Sequence, residues 1–391
     1  MISQQLRQLR LARGLSLEAL ARQMGDIVTR QALSKYEQGK AQPTPVVLQR
    51  LAAALGVKAA DLYREPGFQI QFIAYRKRSR LSQRDQAQVQ SLVAEAIQQR
   101  VRLQQILGLR QAHAIPVQGL PVATLDQTEQ AAEELRAHWA LGLDPIGHLT
   151  AVLEDQHVHV VELAAHDLFD GVAAVARDDE QAVLAATVVT RQGAPGERQR
   201  LSLAHELGHL VLALDPALDA EKAAFRFGGA LLAPAETLRR EVGERRVQIS
   251  EEELLLLKQR FGMSVQALLM RLRDLGIISE GYCRQWFIEL RQRGWATREP
   301  GELPAEQAEW LRRHVLRATA EGLIGAEEAA RLLGRDSRAP AADGPPRGRA
   351  FLSLPLDERR RLLEAQAAAL AEHYTRDPER EQWQGGDIVE Q

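Results

Sequence analysis

Five consecutive residues carry the pattern with the clearest chemistry: His205, Glu206, Leu207, Gly208 and His209. On a helix the two histidines lie one turn apart on the same face, so both imidazoles can bind one Zn²⁺ ion. Glu206 then faces the metal without binding it. Its carboxylate could accept a proton from an attacking water molecule and deliver that proton to a leaving amine. The pattern indicates a zinc-dependent hydrolase.

A catalytic zinc ion normally has three protein ligands and one open position, so a third ligand should lie nearby. Glu221 is our candidate, because the small residues Gly228 and Gly229 further along its predicted helix permit close packing against the first helix. Three other carboxylates compete with it: Asp215, Asp219 and Glu236. The alternative is a buried helix with an incidental histidine pair, which would leave two imidazoles without partners among leucines.

Helices and a few strands must position these residues. Apolar residues at helical spacing predict helices over residues 84–107, 128–140, 146–153, 202–214, 221–232, 251–261, 265–275, 280–293 and 357–374. Alternating or apolar runs predict strands over residues 68–75, 157–163, 172–175 and 182–189, with a loop at 116–123. We therefore expect a mainly α protein with an α+β core that contains a small sheet.

The first 65 residues form a separate basic module. They contain ten Lys and Arg against five Asp and Glu, a charge of +5, so the total of −2 leaves −7 for residues 66–391. Short apolar runs predict five short helices, and Ser16 and Thr29 are good caps for the second and third. Two short helices joined by a brief turn are the helix-turn-helix pattern. A polyanion partner for this module follows from its charge.

The segment GERQRLSLAHELGHLVL, followed by EKAAFRFGGALLAP, resembles the ImmA/IrrE zinc metallopeptidases, and the similarity covers about residues 120–335. The resemblance implies a zincin-like domain in which His205, His209 and Glu221 bind Zn²⁺ and Glu206 is catalytic. In that family the third ligand precedes the proline of an L-L-x-P segment by thirteen residues, which here leads from Pro234 back to Glu221. Relatives often have a polar residue where this chain has Phe225.

The basic module resembles the Xre and phage-repressor helix-turn-helix class, with its G-L-S start, its segment Thr29–Tyr36 and its closing E-Q-G-K. The resemblance implies a double-stranded DNA operator. Base-facing positions would be Arg30, Gln31 and Lys35, and backbone-contacting positions would be Thr29, Ser34 and Lys40. We expect a homodimer, because one short recognition helix contacts too few bases. The alternative is a helical protein-interaction module with a solvated basic face.

The last part of the chain is a linker followed by an amphipathic segment. Its sequence LPLDERRRLLEAQAAALAEHYTRDPEREQWQGGDIVE is similar to the C-terminal segments of type II antitoxins, which implies a cognate toxin as partner. An apolar stripe follows the predicted helix: Leu356, Leu363, Ala367, Leu370 and Tyr374. Tyr374 and Trp383 are possible anchors. Alternatively, this helix docks on its own chain or on a dimer partner.

The chain of 391 residues, 45% apolar and 26% charged, suits two or three globular domains. We assign a helix-turn-helix domain to residues 1–65, a metallopeptidase domain to 66–245, a helical extension to 246–335, a linker to 336–356 and an amphipathic tail to 357–391. The lone Cys283 excludes a multi-thiolate zinc site and suits a buried apolar position. Without an apolar leader or a membrane-length apolar run, we expect a cytoplasmic protein with no membrane partner.

Two functions remain open. The first is a DNA-binding transcriptional regulator whose metallopeptidase domain cleaves a partner regulator or the chain itself. The second is an antitoxin-type repressor whose tail neutralises a toxin, with the peptidase domain as a scaffold. For the hydrolase, an Arg, His or Tyr after residue 235, Tyr282 among them, could stabilise the oxyanion. We expect His157 and His159 on a polar sheet face and His314 at the surface.

Overall fold

Short capped helices form the first part of the chain. The structure, a computed structural model, describes residues 2–63, 67–74, 82–109, 117–164, 169–334 and 355–375. The first of these ranges contains α1 (Ile2–Ala12), α2 (Leu17–Gln23), α3 (Arg30–Glu37), α4 (Pro45–Leu55) and a 3-10 helix (Ala59–Tyr63). The Ser16 and Thr29 hydroxyls accept hydrogen bonds from backbone N–H groups three residues further on. The five predicted helices are confirmed, the last as a 3-10 helix.

A buried ion pair holds α1 against α3. Arg10 donates two hydrogen bonds to the Glu37 carboxylate, at 2.6 and 2.8 Å, and a third to the carbonyl of Leu15 at 2.7 Å. Leucines from the four α-helices pack beside this pair: Leu6, Leu20, Leu33 and Leu51. Because charge-assisted bidentate contacts are strong, the pair fixes the angle at which α3 is presented.

The next part of the chain contains six strands and most of the helices. The strands are β1 (Gln69–Ala74), β2 (Leu120–Val122), β3 (Val158–Leu163), β4 (Gly171–Arg177), β5 (Val183–Arg191) and β6 (Leu212–Leu214). The helices are α5 (Gln83–Ile106), α6 (Gln127–His138), α7 (Leu149–Asp155), α8 (Gly196–Val211), α9 (Ala220–Leu232), α10 (Ala235–Val242), α11 (Glu251–Phe261), α12 (Val265–Asp274), α13 (Glu280–Gln292), α14 (Trp310–Ala320) and α15 (Ala326–Leu332). The described ranges contain no helix long and apolar enough to cross a membrane.

A four-stranded sheet, in the order β1-β4-β5-β3, is buried on both faces. β3 and β5 run parallel, and the other neighbours run antiparallel. Successive residues of a strand point to opposite faces. Val172 and Ala174 pack with α5, whereas Ala173 and Val175 pack with the core that contains α8. The expected fold class, mainly α with an α+β core, is confirmed.

Helix α5 contacts both the small helices and the sheet. Arg13 of α1 forms an ion pair with Glu95 of α5, and Arg84 donates to the carbonyl of Gly14 at 2.7 Å. On its other side, α5 buries Val93 in the core that it shares with the sheet. The first four helices and the sheet are therefore joined through one rigid element.

Three local predictions were wrong. The segment 116–123, predicted as a loop, contains β2, which pairs in parallel with β6. Helix α8 ends at Val211 rather than 214, since Leu212 already adopts extended backbone. It also begins at Gly196 rather than 202. Its first two turns bury charged and polar side chains, which hides the apolar periodicity that sequence interpretation depends on.

An extended segment, residues 299–309, runs along the start of α8. Gln199 exchanges hydrogen bonds with the backbone of Glu306, at 2.7 and 2.8 Å. The Glu306 carboxylate accepts from the Thr150 N–H at the start of α7 and pairs with Arg200 of α8. Burial alone would raise the pKa of Glu306, but these contacts lower it below its usual value. The segment thus ties the first turns of α8 to α7.

His159 does not lie on a polar sheet face. It is only 1% exposed, and its ring meets that of Trp310 edge-on with centroids 4.4 Å apart. His157 precedes β3, and His314, expected at the surface, is half-buried and stacks on Trp310 at 4.1 Å. Burial, and secondarily the charge of Arg100, lowers the pKa of His159 well below its usual value.

The neutral His159 should make the protein lose stability in mild acid. Below about pH 6.5 the unfolded chain protonates this imidazole while the folded chain does not. The free energy of unfolding should therefore fall with decreasing pH, by about 1 kcal/mol between pH 6.5 and 5.5. His159→Phe should remove that part of the acid dependence in urea unfolding. Comparing the two proteins cancels the other titrating groups, and identical pH profiles would contradict this assignment.

A second unit of the chain, Val315–Gln391, is described in part. It contains the end of α14, then α15, and then α16 (Leu356–Thr375). The predicted helix over 357–374 is confirmed, and Leu356, Leu363 and Ala367 are exposed on it. The side chains of Leu370 and Tyr374, residue Trp383 and nearly all of the predicted linker lie outside the described residues.

Candidate metal centre

Glycines allow α8 and α9 to cross at close range. A Cβ atom on Gly208 would lie 3.2 Å from a backbone Cα of α9, and one on Gly228 would lie 3.1 Å from the backbone nitrogen of His205. Gly228 therefore packs against α8 as the sequence predicted. Gly229 does not, because it faces Arg271 of α12.

The crossing brings three donor side chains together. Nε2 of His205 lies 3.1 Å from Nε2 of His209, and each of these atoms lies 3.5 Å from a carboxylate oxygen of Glu221. The two histidines are buried, whereas the Glu221 side chain is 37% exposed. In the described part of the chain, no other group of three His, Cys, Asp or Glu side chains has ligand atoms this close together.

Glu221 lies in the first turn of α9 because of the cap that precedes it. The Asp219 carboxylate accepts a hydrogen bond from the N–H of Glu221 at 3.1 Å. From that turn the side chain reaches the imidazoles. Hydrogen bonds from His205 and His209 lower the pKa of Glu221 below its usual range, so it is an anion at neutral pH.

The three competing carboxylates do not join this group. Asp219 is the helix cap, and Asp215 accepts a hydrogen bond from the N–H of Ala217. Glu236 is exposed on α10. Of the four candidates weighed from the sequence, the structure places only Glu221 beside the histidines.

Glu206 is buried against the start of β4 and is not part of the donor triangle. Its side chain is packed on Gly171, the first residue of β4, and is only 4% exposed. A Cβ atom on Gly171 would lie 2.6 Å from Oε1 of Glu206. Glycine at position 171 thus leaves the space that the carboxylate fills. We did not predict this role of Gly171 from the sequence.

Comparison with known families agrees with both parts of this structure. Residues 6–62 match the family model described as Helix-turn-helix, and residues 176–273 match the M78 peptidase model, described as IrrE N-terminal-like domain. The chain combines a helix-turn-helix domain with an M78 peptidase domain. The second match includes His205, Glu206, His209 and Glu221. No curated protein matches the chain.

Two aromatic side chains that were considered from the sequence, Phe225 and Tyr282, have defined partners. The Phe225 ring lies tilted against that of His205, with centroids 4.0 Å apart, so an apolar side chain covers one wall of the site. Tyr282, considered for oxyanion stabilisation, instead exchanges hydrogen bonds with the backbone of Ile249, at 2.9 and 3.0 Å. Its hydroxyl therefore has a structural partner. Cys283 is buried as expected, and burial raises its pKa.

The helix-turn-helix domain exposes most of the residues expected at DNA. Arg30, Gln31 and Lys35 are exposed on α3, and Lys40 is exposed just beyond it. The other two have local partners. The Thr29 hydroxyl caps α3, and the half-buried Ser34 accepts a hydrogen bond from Gln38 at 3.1 Å.

Proposed function

We propose that this protein is a DNA-binding transcriptional regulator whose M78 domain is a zinc-dependent endopeptidase that cleaves a partner regulator or the chain itself. The observation that carries the proposal is the convergence of His205, His209 and Glu221, with Glu206 adjacent in the same helix. Two imidazoles and one carboxylate are the ligand set of a catalytic rather than a structural zinc centre.

The spacing of the donors also suits Zn²⁺. Zinc binds nitrogen and oxygen ligands at about 2.0–2.2 Å, so neighbouring corners of a tetrahedral site lie about 3.4 Å apart. Here the two imidazole nitrogens lie 3.1 Å apart, Nε2 of His205 lies 3.5 Å from one carboxylate oxygen of Glu221, and Nε2 of His209 lies 3.5 Å from the other. When bound, Zn²⁺ would polarise a substrate carbonyl and make a water molecule more acidic. The partly exposed side of Glu221 leaves room for a substrate to enter.

In this mechanism the protein supplies ligands and a proton carrier. His205, His209 and Glu221 hold the metal. Glu206 accepts the proton of the water that attacks the scissile carbonyl and then donates it to the departing amine. Packing on Gly171 restricts the Glu206 carboxylate to one position, which suits a group that must act at a defined point.

Gly171→Ala should therefore slow hydrolysis while it leaves the metal ligands in place. The added methyl group displaces the Glu206 carboxylate, and misplacement by about 1 Å can cost about 100-fold in rate. We expect such a loss in kcat at unchanged zinc content, measured by peptide cleavage and metal analysis. Gly147→Ala, in the loop before α7, is a control for substitution of a glycine in open space. Equal rates for Gly171→Ala and wild type would contradict the role of this packing.

For the DNA-binding domain we propose that Arg30, Gln31 and Lys35 read bases and that Thr29, Ser34 and Lys40 contact the backbone. The exposure of α3 supports this assignment, as does the Arg10–Glu37 pair that fixes the angle of the helix. Arg suits guanine and Gln suits adenine in the major groove. Because α3 is short, we propose that a homodimer binds two half-sites.

Arg30→Ala should weaken binding to a DNA sequence selected by the wild-type protein. A bidentate Arg–guanine contact contributes about 1–3 kcal/mol of discrimination, equivalent to about 5–150-fold. Lys40→Ala should instead lower affinity for all sequences and reduce the salt slope by about one unit. Fluorescence anisotropy at several salt concentrations measures both effects. Lys58→Ala, which removes the same charge at an exposed position away from α3, should change neither; equal effects at Lys58 would contradict the assignment.

The peptidase proposal is tested by comparing zinc-loaded wild type with Glu206→Gln against candidate substrates. The substrates are the chain itself and the regulators encoded beside its gene. We expect cleavage by the wild type only, with one zinc ion per chain in both proteins. Zinc bound in both without cleavage by either would overturn the proposal and leave the metal as a structural element.

A second candidate function is favoured by the exposed apolar residues of α16. Leu356 and Leu363 are 56% and 51% exposed, and such a stripe suits binding of a protein partner. An antitoxin-type repressor would use this tail to neutralise a toxin. Deletion of residues 350–391 should then abolish binding of the neighbouring gene product and leave peptide cleavage unchanged. Retained binding would exclude this role for the tail.

A further inference from the structure

A cavity of about 770 Å³ lies beside the proposed metal centre. It is bounded by the start of α8, by α9 and α12, and by residues 295–302. Phe225 forms part of its wall, and the same ring contacts the imidazole of His205. Leu201, one helical turn before His205, also lines it. The cavity therefore lies next to the metal centre, on the face of α8 that carries Leu201.

The lining of this cavity is largely apolar, and much of it is open to solvent. Phe225 and Met270 are 45% and 37% exposed. Four further apolar side chains of the lining are half-buried: Leu201, Ala267, Phe287 and Trp295. A concave apolar site next to a reactive centre is typical of ligand-binding pockets.

Three charged groups in the wall are paired with groups of the same chain. The guanidinium of Arg271 forms a bidentate pair with Glu129. Glu197 and Glu299 both accept from Lys258, at 2.6 and 3.1 Å. Their charges are thus compensated before any ligand arrives, which favours an apolar occupant over an anion or a cation.

We propose that this cavity holds a large apolar side chain, such as Phe, Met or Leu, of a peptide substrate beside the bond that is cleaved. The proposal rests on the peptidase function above, and it assigns to Phe225, Ala267 and Met270 a role in substrate specificity. Burying such a side chain in the transition state should favour it over Ala by about 10–100-fold in kcat/KM.

The first measurement uses internally quenched peptides in which each position flanking the cleaved bond is, in turn, Phe, Met, Leu, Ala or Asp. We expect the wild type to prefer the large apolar residues at one position. Ala267→Phe fills the cavity and should remove that preference, so that kcat/KM for the Phe, Met and Leu peptides falls to the value for the Ala peptide. Met270→Trp fills the cavity from its exposed rim and should disturb the buried core less than Ala267→Phe does. Ala137→Phe, at an exposed site on α6, is the matched control.

The second measurement does not depend on hydrolysis. Hydroxamates bind zinc, and a phenyl group on the hydroxamate can enter the cavity. The zinc-loaded protein should therefore bind 4-phenylbutyryl hydroxamate about 10-fold or more tightly than acetohydroxamate. Ala267→Phe and Met270→Trp should lose this difference in affinity. Cleavage without side-chain preference, or equal affinity of the two hydroxamates for the wild type, would overturn the pocket. Selective hydroxamate binding without cleavage of any peptide would support the pocket and refute the peptidase function instead.

Discussion

Zinc-loaded Glu206→Gln should hydrolyse its substrate about 10²–10⁴-fold more slowly than the wild type, the range that a positioned general base contributes. Glutamine keeps the size and the packing on Gly171 but cannot accept the proton. The change should appear in kcat, since no interaction with the bound substrate is removed. Discontinuous assays, in which the reaction is quenched and the cleavage products are separated, measure kcat directly.

Metal content provides the control for this substitution. Glu206 is not one of the three donors, so the variant should bind one zinc ion per chain as tightly as the wild type. Its urea unfolding midpoint should also stay close to that of the wild type. A Glu206→Gln protein that binds zinc and retains a rate within threefold of the wild type would exclude Glu206 as the base.

Glu221→Ala should have the largest effect on zinc affinity among the carboxylate substitutions in this domain. Loss of an outer partner of a metal ligand typically costs 10–100-fold in affinity, and removal of a ligand itself should cost more. The anionic charge of Glu221 at neutral pH adds to this loss. Competition with a chromophoric chelator measures the zinc dissociation constant, and hydrolysis should fall in parallel.

Glu236→Ala is the matched control for Glu221→Ala. Glu236 was one of the competing candidates for the third ligand, and the structure places it at an exposed position on α10. We expect unchanged zinc affinity for this variant. Equal zinc affinities for Glu221→Ala and wild type, or a loss in Glu236→Ala, would contradict the donor set.

Local spacing made the centre of the site predictable. The pairing of His205 with His209 depends only on helix geometry. The helix that carries Glu221 can be predicted from its N-terminal cap, Asp219, and from the small residues that follow. The same holds for the helix-turn-helix domain, where Ser16 and Thr29 mark helix starts. Features set by contacts within one or two turns can be found without knowing the tertiary structure.

Features set by long-range contacts could not be found in this way. The space that Gly171 leaves for Glu206 depends on a strand meeting a helix more than thirty residues later in the chain. Arg200 and Glu306, which anchor the start of α8, are over a hundred residues apart. Without these contacts the polar first turns of α8 have no apolar periodicity, so the predicted helix began at residue 202 rather than at Gly196. His159 was misplaced for the same reason, because Trp310 covers it from a distant segment.

Three-residue strands were a separate source of error. Strands β2 and β6 contain three residues each and, among the residues that the structure describes, pair only with one another. A run of three residues is too short to have a measurable periodicity, so one was predicted as a loop and the other as the end of α8. The pairing itself, rather than local propensity, produces these strands.

The dependence of hydrolysis on zinc distinguishes a zinc peptidase centre from a structural metal site. The metal-free chain, prepared with a chelator, should not cleave the substrate that the zinc-loaded wild type cleaves. Activity should rise in proportion to added Zn²⁺, reach its maximum at one equivalent per chain and then stay constant. Cleavage that persists at full rate in the metal-free protein, or one equivalent of bound zinc without restored cleavage, would contradict the proposed zinc peptidase centre.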